Sequence, residues 1–176
     1  EYTAACERLR REAEAEGKPV VGFISSGTGD TKAALKMASP LPTVSYSSTQ
    51  AIMENATQYP WLVRIYPSDS QRVDATTQML RHYKWTKLFM IVDEAYVWAK
   101  SLAKGMTDKA EVHGIELNSW FTPHLRDASK LNATKADLAA AATYARAKGF
   151  KVIVLAMSTY IQYALRALLE EGLYGE

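Results

Sequence analysis

The residues best suited to chemistry in this chain are hydroxyls and carboxylates at the ends of short apolar runs. From Val44 to Asp69 the sequence reads VSYSSTQAIMENATQYPWLVRIYPSD. A β-rich run ends in Ser45, Ser47, Ser48 and Thr49, a polar turn follows, and the extended run Trp61 to Ile65 leads to Pro67-Ser68-Asp69 at a helix start. Ser47 and Thr49, two residues apart just past a strand, point the same way and could hold a carboxylate. The same pattern also serves ordinary turns, in which Ser and Thr bond nearby backbone. Asp69 suits a ligand ammonium or an N-cap, and a cap alone is worth about 1 kcal/mol. Such groups hold a small polar ligand more readily than they break one.

A second candidate is Ser25-Ser26-Gly27-Thr28-Gly29-Asp30-Thr31, directly after an apolar run and before a helical one. Backbone N–H groups at such a junction bind carboxylate or phosphate, and a glycine-rich turn with an N-cap has the same look. No Gly-Lys-Ser/Thr follows at Walker spacing. A third cluster, Asp93-Glu94-Ala95-Tyr96, follows the run LFMIV. His82, His113 and His124 share no metal-ligand spacing, no Cys/His nucleophile pair is visible, and Gly-x-Ser-x-Gly is absent. The expectation is a protein that is not an enzyme, with no cofactor and no metal.

Alternating helix and strand signals position these groups. Tyr2 to Glu16, Thr31 to Ala38, Asp69 to about Tyr83, Val97 to Val112, Ala133 to Lys148 and Thr159 to Glu171 read as helices. Ser68 or Asp69 caps the third, and Gly114, Gly149 and Gly172 stop the last three. Val20 to Ile24, Thr43 to Tyr46, Leu62 to Ile65, Leu88 to Val92, Ile115 to Phe121 and Lys151 to Ala156 read as strands, the first as one buried on both faces. Pro123 to Asn132 reads as a polar loop. Strand–helix–strand units with short links predict an α/β fold: parallel sheets with helices on both faces. Ligands of such folds bind at the carboxyl ends of strands, where every cluster above falls. A change of character near Tyr59 to Pro67 marks a crossover between two lobes.

Composition narrows the function classes. The chain has 176 residues, 48% of them hydrophobic, which supports a real core. With 21 basic and 19 acidic residues the net charge is +2, so nothing points to nucleic acid. The cluster Arg8 to Arg11 is interleaved with Glu7, Glu12 and Glu14, as on a solvated, ion-paired helix face. Cys6 is the one cysteine and has no internal partner. No apolar run approaches the roughly 20 residues of a membrane span. The opening residues read as mid-domain helix, so the chain is expected to be cut from a longer one. Asn55-Ala56-Thr57 and Asn132-Ala133-Thr134 are N-glycosylation sequons in polar, loop-like surroundings and tilt toward a secreted or luminal protein.

In order, these pieces resemble the type I periplasmic-binding fold of receptor ectodomains, the Venus flytrap regions of class C G-protein-coupled receptors and receptor guanylyl cyclases. VVGFISSGT, LPTVSYSST, QYPWLVRIYPSDSQRVDA, LRHYKWTKLFMIVDEAY and LLEEGLYGE carry the resemblance. The Tyr-Pro to Pro-Ser-Asp piece is its most specific part. In amino-acid-binding members the serine loop and the Ser-Ala-Thr segment hold the α-carboxylate from the first lobe. The aspartate and the loop tyrosine meet the ammonium from the second. The resemblance therefore implies Ser26, Ser47 and Thr49 on one side of a ligand, and Asp69 and Tyr96 on the other. Gly27 stands where the family has a third serine, and Val97 where it has a glycine.

The resulting expectation has residues 1–62 in the first lobe, 63–67 crossing over and 68–176 in the second. It makes the chain part of the extracellular or luminal ligand-binding domain of a membrane receptor, pairing as a homodimer or heterodimer through the first lobe and signalling by lobe closure through the remainder of the receptor chain. The rivals are a flavodoxin-like flavin protein using Ser25 to Thr31, a periplasmic solute-binding protein for transport, and a scaffold that has lost its ligand.

Overall fold

The computed structural model describes residues 2–36 and 41–173. Two compact units make up the chain, Glu1–Arg72 and Val73–Glu176. Each holds one three-stranded, wholly parallel sheet, so the architecture is α/β and corresponds to part of a type I periplasmic-binding-like fold.

In the second unit the central strand is β4 (Lys87–Asp93), flanked by β5 (Glu116–Thr122) and β6 (Val152–Ala156). Side chains alternate along a strand, and here both faces are apolar. Leu88, Met90 and Val92 pack with Val73 and Leu80 of α3 (Asp69–His82) and with Ala99, Ala103, Met106 and Ala110 of α4 (Val97–Val112). Phe89 and Ile91 pack on the opposite side with Leu138, Ala141, Ala142 and Ala145 of α5 (Leu131–Ala147) and Ala164, Ala167 and Leu168 of α6 (Ile161–Glu170). The alanines let α5 and α6 lie close against each other. Trp120 Nε1 donates to Asp137 Oδ1 at 3.1 Å and ties β5 to α5.

Helix ends follow local chemistry. Gly114 and Gly149 take φ of +65° and +72°, the left-handed conformation that closes a helix at little cost. The N–H groups of Ile115 and Phe150 then reach back to Ala110 and Ala145. The stretch expected as a loop from Pro123 to Asn132 is shorter than that reading. Asp127 accepts from the Ser129 amide, a 3-10 turn spans Ala128–Lys130, and α5 begins at Leu131. Asn132 therefore lies exposed in the first turn of α5 and not in a loop.

In the first unit, β1 (Phe23–Ser25), β2 (Thr43–Ser45) and β3 (Leu62–Arg64) pair in that order. Helix α2 (Thr28–Leu35) lies against β1 and β2, and α1 (Tyr2–Ala15) packs on α2. The expected end of α2 at Ala38 lies outside the described residues. Arg8, Arg10 and Arg11 pair with Glu12, Glu14 and Glu7 along α1, a solvated, ion-paired face.

The expectation for Val20–Ile24, a strand buried on both faces, is corrected. The strand is Phe23–Ser25, and Val21 and Ile24 are 82% and 83% exposed. Ser25 turns under α2, which sends Ile24 to the other face. There Ile24, Val44 and Val63 lie side by side in register, and among the described residues no helix covers them. Pairing starts at Phe23, whose N–H reaches Pro42 O at 2.9 Å. A side chain at Gly22 would come within 2.8 Å of that same oxygen.

Two outcomes follow from this contrast. Leu138→Ala, which empties a fully buried site between β4 and α5, should cost about 2–5 kcal/mol in urea unfolding of the second unit. Backbone amides of β4 should exchange with deuterium far more slowly than those of β1 to β3, measured by mass spectrometry of the intact protein; equal protection would contradict the burial pattern.

Candidate functional site

The first group of candidate residues sits where β1 and β2 end. Ser25 and Ser45 are register partners, and both turn under α2. Thr31, on α2, meets them there. Its Oγ1 lies 2.7 Å from Ser25 Oγ, 3.1 Å from Ser45 Oγ and 2.5 Å from Ser48 Oγ, and it is 2.8 Å from Gly27 O. All four hydroxyl residues are buried, so the cluster satisfies itself where water does not reach. It welds the serine loop to the segment after β2.

The predicted ligand residues lie on the rim of this cluster. Ser26 Oγ donates to Asp30 Oδ2 at 2.7 Å. Ser47 Oγ donates to Ser26 O at 2.5 Å, and the Ser47 amide reaches the same carbonyl at 3.1 Å. Ser26 and Ser47 are thus brought together. Thr49 is 8% exposed, and its carbonyl accepts from the Asp69 amide at 2.7 Å, which joins Thr49 to Asp69. Arg64, quoted above only as part of a motif, fixes this segment by donating from Nη1 to Gln50 O at 3.2 Å. No local signal in the sequence marks that role, because Arg64 and Gln50 meet only through the pairing of β2 with β3.

Asp69 does not cap α3. Ser68 does: its Oγ accepts from the Gln71 amide at 3.3 Å, and Gln71 Oε1 accepts from the Ser68 amide at 3.2 Å. This reciprocal capping box is legible as Ser-x-x-Gln. The Asp69 carboxylate is thereby left for other work. It is 2% exposed, Oδ1 accepts from Arg72 Nη2, and the buried Oδ2 has no hydrogen-bond partner among the described residues.

Tyr96 belongs to a different group, at the carboxyl edge of the second sheet. There β4 has β5 on one side and β6 on the other, the switch-point arrangement at which open α/β sheets bind ligands. Asp93 ends β4 fully buried, with Oδ1 accepting from the Ala95 amide at 3.1 Å and Oδ2 from Arg126 Nε at 3.3 Å. Arg126 also reaches Ser158 Oγ at 3.2 Å and lies over the Tyr96 ring, 3.9 Å from its centroid. Thr122, the register partner of Asp93, is buried with no partner for Oγ1 among the described residues. Arg126, Thr122 and Ser158 escaped the sequence reading because 33 and 32 residues separate Arg126 from its two partners. Nearby, the Ser129 hydroxyl, ahead of the Ser129 amide, holds the Asp127 carboxyl below its ordinary pKa.

Among the described residues no group of His, Cys, Asp and Glu could hold a metal, and no helix is long and apolar enough to cross a membrane. An open depression of about 380 Å³ in the first unit, lined by Met53, Tyr59, Arg64, Tyr66 and Gln71 among others, includes none of Ser26, Ser47, Thr49 or Asp69. Asp69 Oδ2, at the start of α3, and Thr122 Oγ1, at the end of β5, are among the buried polar atoms with no hydrogen-bond partner in the described residues.

Comparison with known proteins follows the same lines. The family model described as "Receptor family ligand binding region" matches residues 4–176. A metabotropic glutamate receptor-like protein E of Dictyostelium discoideum is 28% identical over 101 residues, 57% of this chain and 12% of that protein. A G-protein coupled receptor family C group 6 member A of Carassius auratus is 28% identical over 94 residues, 52% of this chain and 11% of the relative. The chain thus spans about a tenth of the length of these curated relatives. A family match running almost end to end, on a sheet architecture of the matching kind, makes this chain a member of the family of receptor ligand-binding regions.

Proposed function

We propose that the chain is part of the extracellular ligand-binding domain of a membrane receptor. It takes up a small molecule, amino-acid-like in character, in a cleft between two lobes. In this reading residues 1–62 lie in the first lobe, 63–67 cross over and 68–176 lie in the second. Ser26, Ser47 and Thr49 serve the ligand from the first lobe, and Asp69 and Tyr96 from the second. The observation that carries the reading is Asp69: a buried carboxylate oxygen without a partner, on a residue relieved of capping by Ser68 and bonded through its amide to Thr49. A buried charge with an unspent acceptor costs stability unless a partner arrives, and a ligand ammonium would supply one.

The ligand then acts through its preference for the closed form. Closure shifts in proportion to the difference in affinity between the two states. This chain makes and breaks no bond in that scheme; the remainder of the receptor chain carries the output, and pairing occurs through the first lobe. Asn55 and Asn132 are exposed and serve as glycan acceptors on the extracellular side.

Thermal-shift screening of the full-length receptor in detergent against the common amino acids should find a stabilising ligand. Thr49→Ala and Asp69→Asn should each weaken that ligand by about tenfold or more, the cost of leaving a charged or buried polar partner unmatched. Retained affinity in both variants would overturn the site. Asn55→Gln and Asn132→Gln should each abolish one endoglycosidase-sensitive step in gel mobility of receptor expressed in eukaryotic cells, and absence of any such step would argue against extracellular exposure.

A further inference from the structure

Arg126 stands at the carboxyl edge of the second sheet with most of its hydrogen-bonding capacity unspent. A guanidinium has five N–H donors. Nε donates to Asp93 Oδ2 and Nη2 to Ser158 Oγ, while Nη1 makes no hydrogen bond among the described residues. The side chain is 44% exposed, whereas Asp93 is fully buried. Below the guanidinium lies the Tyr96 ring, 3.9 Å away. The group is thus held at Nε, at Nη2 and on one face, and its Nη1 end is left open. Simple neutralisation of Asp93 would use both carboxylate oxygens in a fork; here the second oxygen is taken by the Ala95 amide.

The surroundings favour an anion. Helices α4 and α6 begin at this edge, and neither N-cap residue, Tyr96 or Tyr160, makes a side-chain cap. Their N-terminal N–H groups give the edge a positive field. Thr122 adds a buried hydroxyl without a partner. On the acidic side, Asp127 is committed to Ser129, and Glu94 is exposed to solvent. The Tyr96 face that a ligand ammonium would need already carries a cation, so a second cation there would meet like charge.

We infer that Arg126 is a ligand-binding residue of the second unit, and that the ligand presents a carboxylate to it. This rests on the reading of the chain as part of a small-ligand domain and specifies the ligand's chemistry. Tyr96 remains in the site as the floor under the guanidinium. A single carboxylate fits better than a doubly charged phosphate, because Asp93 already balances the charge of Arg126.

The test is calorimetric titration of the full-length receptor with glutarate, glutamate, 1,5-diaminopentane and glucose. At least one of the two carboxylates should bind, and the diamine and the sugar should not. Arg126→Gln should weaken the carboxylate by about tenfold or more, and Arg126→Lys should restore only part of that, since lysine offers charge without the fork. Because Arg126→Gln strands the buried Asp93, the double variant Asp93→Asn/Arg126→Gln is measured alongside. It should unfold close to the parent temperature and show the same weakening. Binding of the diamine, or unchanged carboxylate affinity in the double variant, would overturn the role of Arg126 and leave the small-ligand reading standing. Silence of all four probes and of the common amino acids would overturn the small-ligand reading itself.

Discussion

Covered by helices on both sides, β4 has no face for water, and it is the point from which the second unit is built. Its five apolar residues from Leu88 to Val92 alternate between two cores. Each core needs its own helices, and parallel pairing requires crossovers long enough to contain them. The same constraint brings the ends of β4, β5 and β6 to one edge. Asp93, Thr122 and Ser158 meet there because the strands run the same way, and for no reason visible in their sequence neighbourhoods.

The first sheet is covered by α2 on one face only, among the described residues. Beneath α2, Ser25, Ser45 and Ser48 meet Thr31 hydroxyl to hydroxyl, while the buried Thr43 donates to Leu41 O. Such a cluster gains little net stability from each bond but leaves a large deficit if any partner is missing. It therefore specifies geometry more than it adds stability. The serine loop and the segment through Thr49 are fixed relative to each other to within hydrogen-bonding tolerance, a condition any ligand site at these strand ends requires.

Two buried carboxylates, Asp69 and Asp93, each lean on one arginine. They differ in what is left over. At Asp69 an acceptor oxygen is unspent; at Asp93 both oxygens are used, and the unspent capacity lies on the arginine. One position is short of a donor and the other of an acceptor.

Much of this was legible in the residues. LFMIV, with β-branched and large apolar side chains and charges at either end, reads as a buried strand, and Gly114 and Gly149 stop helices because left-handed backbone excludes most other residues. Ser-x-x-Gln at Ser68 encodes the α3 cap locally, and the family pattern from Val44 to Asp69 is carried by adjacent residues. The open face of Ile24, Val44 and Val63 was not legible: Val20–Ile24 looks the same whether or not a helix covers it. Nor was the setting of Arg126. Local propensity, capping and alternation are short-range and act through neighbours in sequence, so the sequence by itself determined the elements, their order and the family. Which donor meets which acceptor at a strand end depends on register and strand order, and only the tertiary structure decided that Arg126 lies on Tyr96 and that the Asp69 amide reaches Thr49.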